Sequence, residues 1–268
     1  MSRAVVTSLV SVSLAVVAAC TPSLADRSSP PPATELTVFA AASLTVPLEA
    51  VKATYESRHP GVRLTVAFDS SAALRTQIEQ GAPADLFLSA DLSNAQVLVD
   101  ARWTTGPVTP FAGNRLAIVV PTANPGSIER PVDLARPGLR IVAAGEKVPI
   151  SLYASELIER LGALPGYPAG FAAAYEGNIV SREDSVRSVV TKVELGEGDA
   201  GVVYETDALA SAGVRAIEIP PEAVVTATYG GVVMAASSDI DAAAAFLGWL
   251  VGPEGQATLS GFGFVELG

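Results

Sequence analysis

Two serines stand where an apolar run of residues passes into a helical pattern. Ser43 follows the run VFAAA, and Ser71 follows the run VAFDS. The first N–H groups of a helix have no partner within the helix, and this end carries about half a positive charge. A serine hydroxyl at such an end can add a hydrogen bond to a bound anion. Because serine also caps many helices for structural reasons alone, the pair by itself predicts only that a small anion can bind there.

The pattern around these serines predicts strands that alternate with helices. Three short runs, ELTVFAAA, VRLTVAF and ADLFLSA, are typical of buried strands, and apolar residues recur at helical spacing between them. Pro47 fits the first turn of the first helix, and Gly81 fits the end of the second. This alternation predicts a mostly parallel sheet covered by helices, with both serines at the carboxyl edge where ligands bind.

A second block of the same kind begins with the run NRLAIVVP at residues 114–121. Its predicted strands are LRIVAA and AGVVYE, and helices are expected near residues 151–161 and 185–195, each ending at a glycine. The run VVTATYGGVVMAA predicts a further strand pair or a crossover, and a last helix is expected near residues 241–250. The sequence therefore predicts an α/β fold with two similar lobes.

The N-terminus has the pattern of an export signal rather than of a folded segment. Arg3 precedes an apolar run that ends in small residues directly before Cys20. We interpret residues 1–19 as a signal peptide, Cys20 as the lipidated first residue of the mature chain, and residues 20–33 as a tether rich in Pro and Ser. The alternative is an ordinary buried cysteine. Since Cys20 is the only cysteine, no disulfide within the chain is possible.

The overall charge and the scarcity of metal-binding side chains exclude several classes of function. The formal net charge is −11, which argues against nucleic acid as a partner. His59 is the only histidine, so the body of the chain offers no cluster of the usual zinc ligands and no base for a serine nucleophile. We expect His59 to lie at a helix end, and we expect no enzyme activity, no cofactor and no cation ligated by side chains.

Five segments of the chain carry a resemblance to a known family. They are VFAAASLT, SSAALRTQIEQGAPADLFLSAD, EKVPISLYA, SVRSVV and AGVVYETDA, and the most specific piece is GAPADLFLSAD. In order and spacing they resemble the molybdate-binding proteins of ABC transporters. The resemblance implies a two-lobed type II solute-binding protein fold, in which each lobe is a mostly parallel sheet flanked by helices and the ligand lies in the interlobe cleft. It assigns residues 34–113 plus 229–268 to lobe 1 and residues 114–228 to lobe 2.

The resemblance also implies that neutral donors, rather than Lys or Arg, hold a tetrahedral oxyanion. Ser43 supplies a hydroxyl, and Ser71 supplies a hydroxyl and its backbone N–H. Ile150 and Val186 each supply a backbone N–H, and Tyr204 supplies its phenol O–H. Without the resemblance, Tyr204 would fit a core tyrosine with a nearby hydrogen-bond partner. Several charge-assisted hydrogen bonds can replace the hydration of a dianion without a full counter-charge.

The sequence departs from the pattern of this family in three places. Ile150 and Ser151 replace a small pair, which is tolerable if only N–H groups are used. Asp69 stands where small residues are usual, and we expect its carboxylate to point away from the site. We expect Ser185 to cap a helix rather than to donate to the anion. Four further acidic residues either cap helices or contact a membrane permease: Asp85, Asp91, Glu205 and Asp207.

The function that the resemblance implies is that of a receptor for uptake. We expect a monomer, held by a lipid anchor to the outer face of the cytoplasmic membrane in the periplasm or cell-wall space. Its ligand would be molybdate, and also the nearly isosteric tungstate, which it would deliver to an ABC permease with its ATPase. The alternatives are a receptor of this fold that prefers tungstate or binds another small oxyanion such as sulfate. More distant alternatives are an exported serine hydrolase and a purely structural surface lipoprotein.

Overall fold

The computed structural model describes residues 34–267, which lie within one compact unit. The predicted signal peptide, Cys20 and the predicted tether lie outside the described residues. Between residues 34 and 267, no helix is both long enough and apolar enough to cross a lipid bilayer.

Nine strands run through residues 34–267 and join in one sheet. In chain order they are β1 (Thr34–Ala41), β2 (Val62–Asp69), β3 (Leu86–Ser89), β4 (Thr109–Pro121), β5 (Ile141–Ala144), β6 (Ile179–Glu183), β7 (Ala200–Tyr204), β8 (Val214–Ile217) and β9 (Thr226–Val233).

The described residues also form α-helices that flank the sheet. They are α1 (Thr45–Arg58), α2 (Ser71–Glu79), α3 (Leu92–Asp100), α4 (Pro149–Gly162), α5 (Phe171–Gly177), α6 (Val186–Glu194), α7 (Glu205–Leu209), α8 (Ile240–Leu250) and α9 (Pro253–Ser260). Short 3₁₀ turns occupy Ala42–Leu44, Pro131–Ala135 and Pro221–Ala223.

The sheet is mixed, because two groups of parallel strands are joined through antiparallel ones. β1 pairs in parallel with β2 and β3, and β5 pairs in parallel with β6 and β7. β9 is antiparallel to β3 and β4, and β4 is antiparallel to β7 and β8. The strand order is β2-β1-β3-β9-β4-β7-β5-β6, with β8 also paired to β4. The predicted α/β fold is confirmed, and its parallel pairing is confined to the two groups.

The long strand β4 connects the two groups. It pairs with β9 as far as Arg115 and with β7 from Leu116 onward. The end of the described chain folds back onto the same strand, where Gly113 and Val265 exchange two backbone hydrogen bonds of 2.7 and 2.9 Å. The lobe limits implied by the resemblance stay a prediction.

The second half of strand β1, residues 38–41, is wholly apolar because both of its faces are covered. Leu36, Val38 and Ala40 belong to the larger core cluster, which also contains Tyr55 of α1. Phe39, on the other face, packs in a second cluster with residues of α2 and α3. A strand covered on both sides needs apolar residues at consecutive positions, which is the pattern that the sequence shows.

The helix ends differ from the sequence predictions in two places. Ser43 lies in a 3₁₀ turn, so α1 begins only at Thr45. The last predicted helix ends before the run GPEG, but the same run begins the unpredicted α9, because Pro253 takes its first position, where a missing N–H costs nothing. His59 lies at the end of α1, as expected, and its ring stacks on Tyr55.

Candidate functional site

The carboxyl ends of the parallel strands in the two groups face one another. β4 runs in the same direction as β3, because both are antiparallel to β9. It passes from the first group into the second, so β1, β2 and β3 run toward the second group. β7 is antiparallel to β4, so β5, β6 and β7 run toward the first group. The edges where α/β sheets bind ligands therefore meet at one crevice.

All five residues predicted to bind an anion follow these strand ends. Ser43 and Ser71 each lie two positions after the end of a strand, β1 and β2 respectively. Ile150 is the second residue of α4, Val186 is the first residue of α6, and Tyr204 is the last residue of β7. Each of the five is at most 5% exposed.

The two groups of strands touch at this crevice. The 3₁₀ turn that carries Ser43 packs against α6, which begins at Val186. Tyr204 of the second group lies beside Tyr229 of β9, with ring centroids 5.5 Å apart. Tyr229 in turn contacts Ser43, because its Oη lies 2.7 Å from Ser43 Oγ. The structure thus brings Ser43, Val186 and Tyr204 into one region.

The hydroxyl of Tyr204 is buried and has no hydrogen-bond partner in the described protein. Burial raises the pKa of Tyr204 well above its usual value, so the phenol keeps its hydrogen at neutral pH. A buried hydroxyl without a partner costs roughly 1–3 kcal/mol of desolvation free energy. The arrangement favours a ligand with an acceptor atom at this point over a satisfied core tyrosine.

Next to Ser43 lies a buried polar cluster that the sequence patterns do not predict. Asn114 Nδ2 donates to Thr206 Oγ1 at 2.9 Å and to Tyr229 Oη at 3.2 Å. Tyr229 and Asn114 are both fully buried. Burial, and next the charge of Asp207, raises the pKa of Tyr229 well above its usual value, so its phenol is neutral.

One sequence signal points to this cluster in retrospect. Asn114 is a lone amide within the apolar run FAGNRLAIVV, and a buried amide in a strand needs partners. Its partners, Thr206 and Tyr229, lie 92 and 115 positions away, so only the pairing of β4 with its neighbours brings them together.

Ser71 keeps its hydroxyl hydrogen free for a ligand. Its Oγ accepts a hydrogen bond from the backbone N–H of Ala90 at 3.0 Å, an interaction that uses a lone pair. The cap of α2 is its neighbour Ser70, whose Oγ accepts from Ala73 N at 3.3 Å. Because Ser70 performs the structural role, Ser71 retains both its O–H and its N–H at the helix start.

The starts of α4 and α6 present the two predicted backbone donors. Pro149 holds the first position of α4, so the N–H of Ile150 is the first one that this helix offers. The side chain of Ile150 lies in the larger core cluster, which leaves only its backbone toward the crevice. Ser185 caps α6 by accepting from Ser188 N at 3.3 Å, directly before Val186.

The acidic residues singled out in the sequence have different surroundings. Asp91 caps α3 and accepts from Asn94 N at 2.8 Å, while Asp85 accepts from the backbone N–H of Thr37 at 2.7 Å. Both therefore have structural roles. Asp69 accepts from Ser70 N at 2.7 Å, and the direction of its carboxylate relative to a ligand stays a prediction.

Asp207 on α7 is the acidic group with an unpaired oxygen beside the crevice. Its Oδ2 is buried and has no hydrogen-bond partner. Burial raises the pKa of Asp207 to about 7, against the opposing effects of the Tyr204 backbone and the charge of Arg187. A cavity of about 580 Å³ opens here, and Ser43, Arg187 and Asp207 are among its lining residues.

The sequence is similar to a known family and to known proteins over most of its length. The family described as bacterial extracellular solute-binding protein matches residues 36–265. The chain is 35% identical to the molybdate-binding protein ModA of Mycobacterium tuberculosis, over 87% of this chain and 85% of that one. It is also 35% identical to YvgL of Bacillus subtilis, named a putative ABC transporter substrate-binding lipoprotein, over 68% of this chain and 67% of that one.

A solved structure agrees with these sequence relatives. It is the substrate-binding domain of a putative molybdenum ABC transporter from Clostridium difficile, which is 28% identical to this chain. The superposition covers 88% of this chain and all of the other, with a TM-score of 0.66.

Proposed function

The chain belongs to the bacterial extracellular solute-binding protein family, and from this membership we propose that it is a receptor that binds molybdate for uptake. It delivers the anion to an ABC permease with its ATPase. The observation that carries the proposal is the buried hydroxyl of Tyr204, which has no hydrogen-bond partner among the described residues and lies beside Tyr229, the tyrosine that contacts Ser43. These groups donate hydrogen bonds and lack a positive charge, which fits an oxyanion that only accepts them.

The proposed anion site consists of six donor groups on five residues. Ser43, Ser71 and Tyr204 give hydroxyl hydrogens, while Ser71, Ile150 and Val186 give backbone N–H groups. Hydrogen bonds to an ionised acceptor are about twice as strong as neutral ones, so several of them offset the loss of hydration. The starts of α4 and α6 add the positive ends of two helix dipoles.

The spacing of fixed donors also determines which anion binds best. Sulfate is smaller than molybdate, so donors placed for molybdate leave longer and weaker hydrogen bonds to sulfate. Tungstate has nearly the size of molybdate, and we infer that it binds as well. The proposed solute is therefore the molybdate and tungstate pair rather than sulfate.

We also propose that the receptor is anchored outside the cytoplasmic membrane by a lipid on Cys20, after removal of residues 1–19. The sequence pattern before Cys20 supports this anchor, and so does the name of the Bacillus relative as a lipoprotein. Residues 20–33 act as the tether, and the receptor works as a monomer. The two lobes close on the anion by a hinge motion.

The first experiment is a calorimetric titration with molybdate, tungstate, sulfate and phosphate. The protein is the chain from residue 20 onward, with Cys20→Ser to prevent acylation. We expect tight one-to-one binding of molybdate and tungstate and much weaker binding of sulfate and phosphate. Binding of none of the four anions, or a preference for sulfate, would contradict the proposal.

The same titration tests the role of Tyr204. Replacing Tyr204 by Phe removes one charge-assisted donor, and we expect a loss of about 1.5–3 kcal/mol of binding free energy, or roughly ten- to hundredfold in Kd. Tyr175→Phe is the matched control, because Tyr175 is a buried tyrosine on α5. Equal affinities for Tyr204→Phe and the parent protein would remove Tyr204 from the site.

A further inference from the structure

Tyr229 contacts the Ser43 hydroxyl, and Asn114 contacts Tyr229, so both can influence the direction of that hydroxyl. Tyr229 Oη lies 2.7 Å from Ser43 Oγ, and Asn114 Nδ2 lies 3.2 Å from Tyr229 Oη. We propose that Asn114 and Tyr229 are positioning residues that aim the hydroxyl hydrogen of Ser43 at the bound oxyanion. This inference rests on the proposed function, in which Ser43 is a ligand donor.

The direction of these hydrogen bonds follows from the hydrogens that each group carries. An ionised oxyanion only accepts, so Ser43 gives it the single hydroxyl hydrogen. Ser43 Oγ must then accept from Tyr229, which thereby uses its own single hydrogen. Tyr229 Oη is left with lone pairs only, and the neighbouring Asn114 Nδ2 is a donor without a lone pair. The bonds therefore run from Asn114 to Tyr229, from Tyr229 to Ser43, and from Ser43 to the anion.

Asn114 has its amide nitrogen toward Tyr229, while its Oδ1 is buried without a hydrogen-bond partner among the described residues. Its Nδ2 carries two hydrogens, and the structure offers two acceptors, Thr206 Oγ1 at 2.9 Å and Tyr229 Oη at 3.2 Å. Asn114 also lies on β4 diagonally opposite Tyr229, since Ala112 pairs with Tyr229 and Asn114 pairs with Ala227 on β9. Sheet register thus fixes the distance between the two side chains.

The ring of Tyr229 is held in place by other rings. Edge-to-face contacts join it to Phe264 at 5.4 Å, to Tyr204 at 5.5 Å and to Phe111 at 6.0 Å between centroids. A ring fixed on several sides keeps its hydroxyl at one point. Without Tyr229, the Ser43 hydroxyl would rotate among several directions, and binding would have to restrict it.

The test is a double-mutant cycle on the full chain without its signal peptide, carrying Cys20→Ser and titrated with sodium molybdate. We expect Tyr229→Phe to weaken binding about tenfold in the parent protein. In a protein that already carries Ser43→Ala, the same change should alter the affinity by less than about twofold, because Tyr229 acts only through Ser43. Circular dichroism verifies that each variant is folded.

A second cycle covers the case in which Tyr229→Phe does not fold. Asn114→Leu has a similar volume and lacks the amide donor, so we expect it to weaken binding in the parent protein but not in one with Ser43→Ala. Tyr55→Phe is the control, since Tyr55 is equally buried but lies at the far end of α1, and its affinity should equal that of the parent.

The outcomes separate this inference from the proposed function. Losses that add up in the double variants, or an unchanged affinity of Tyr229→Phe, would overturn the positioning role while leaving the receptor function intact. An unchanged affinity of Ser43→Ala would instead remove Ser43 from the site, and absence of molybdate binding by the parent protein would overturn the proposed function itself.

Discussion

At the scale of single residues, Asp207 is a carboxyl group whose ionised form is disfavoured by burial in the folded protein. Its Oδ2 has no partner, and burial raises its pKa from 3.8 to about 7. Burial disfavours the ionised carboxylate more than the Tyr204 backbone and the charge of Arg187 favour it, so the folded chain keeps a proton that the unfolded chain releases. Asp207 therefore links the stability of the protein to pH.

The sign of this linkage gives a prediction for Asp207→Asn. Between its ordinary pKa of 3.8 and its folded pKa of about 7, the folded state binds more protons at Asp207 than the unfolded state. The contribution of Asp207 to the free energy of unfolding therefore falls as the pH rises through this range. We expect Asp207→Asn to gain stability relative to the parent protein between about pH 5 and about pH 8.

Urea denaturation of the anion-free protein at both pH values measures this difference. Asp100→Asn, which removes one negative charge at an exposed position, is the control for net charge. If Asp207→Asn differs from the parent protein by the same free energy of unfolding at both pH values, the raised pKa of Asp207 in the folded protein is contradicted.

The residues of the site differ in how far the sequence alone could predict them. Ser43 and Ser71 follow from a local pattern, a strand, a serine and a helix within a few positions. Ile150, Val186 and Tyr204 came only from the resemblance, because a backbone N–H has no sequence signature and a tyrosine after a strand is common. Asn114 and Tyr229 were missed, since their contact depends on the register between β4 and β9.

At the scale of elements, α6 is the helix whose position the site depends on most. It presents Val186 to the crevice and packs directly on β7. This close approach requires glycine at position 201, where an added Cβ would lie 2.8 Å from Val189 Cγ1 and 3.0 Å from the Val142 carbonyl oxygen. The carbonyl belongs to the neighbouring strand β5 and cannot move away without breaking the sheet.

We therefore expect Gly201→Ala to destabilise the protein by about 1–3 kcal/mol, because it forces α6 and β7 apart. Gly248→Ala is the matched control, since Gly248 lies in α8 with open space at its Cβ position. Alanine there should leave stability unchanged or raise it by about 0.5–1 kcal/mol. Chemical denaturation of both variants checks the pair, and equal stabilities would contradict the packing argument.

The elements themselves were predictable where their signals are local. Apolar runs bounded by turn residues indicated the strands β1, β2 and β3. Most residues of β1 and β3 are buried, whereas Leu64 is the one buried residue of the edge strand β2. The short helices α5 and α9 were missed because seven or eight residues give little periodicity. The mixed pairing was missed because the antiparallel return of β9 joins strands far apart in the chain.

At the scale of the whole molecule, the feature that matters is that two groups of strands share one sheet. Within residues 34–267, β4 and β9 are the strands that join the groups in the sheet, and the predicted donors come from both groups. An anion bound by both groups adds interactions between them that the unfolded chain does not have. Binding should therefore stabilise the entire fold rather than one half of it.

This coupling predicts a large thermal shift with molybdate. At about a thousandfold excess over Kd, binding adds about 4 kcal/mol to the free energy of unfolding. For a chain of this size each kcal/mol raises Tm by about 2–4 °C, so we expect an increase of roughly 8–16 °C in scanning calorimetry. Sulfate at the same concentration is the control and should shift Tm far less. Two separate transitions, of which molybdate moves only one, would contradict the coupling.

The return of the chain end to β4 has a consequence for the design of shortened versions of this protein. Val265 is hydrogen-bonded to Gly113 on β4, the strand that connects the two groups, and Phe264 packs against Tyr229. A protein truncated after α9 would therefore lack the Phe264 ring that packs against Tyr229. It would also lack the two backbone hydrogen bonds between Val265 and β4. An affinity tag at the C-terminus needs a spacer that starts after Val265, so that the tag does not disturb the pairing of Val265 with Gly113.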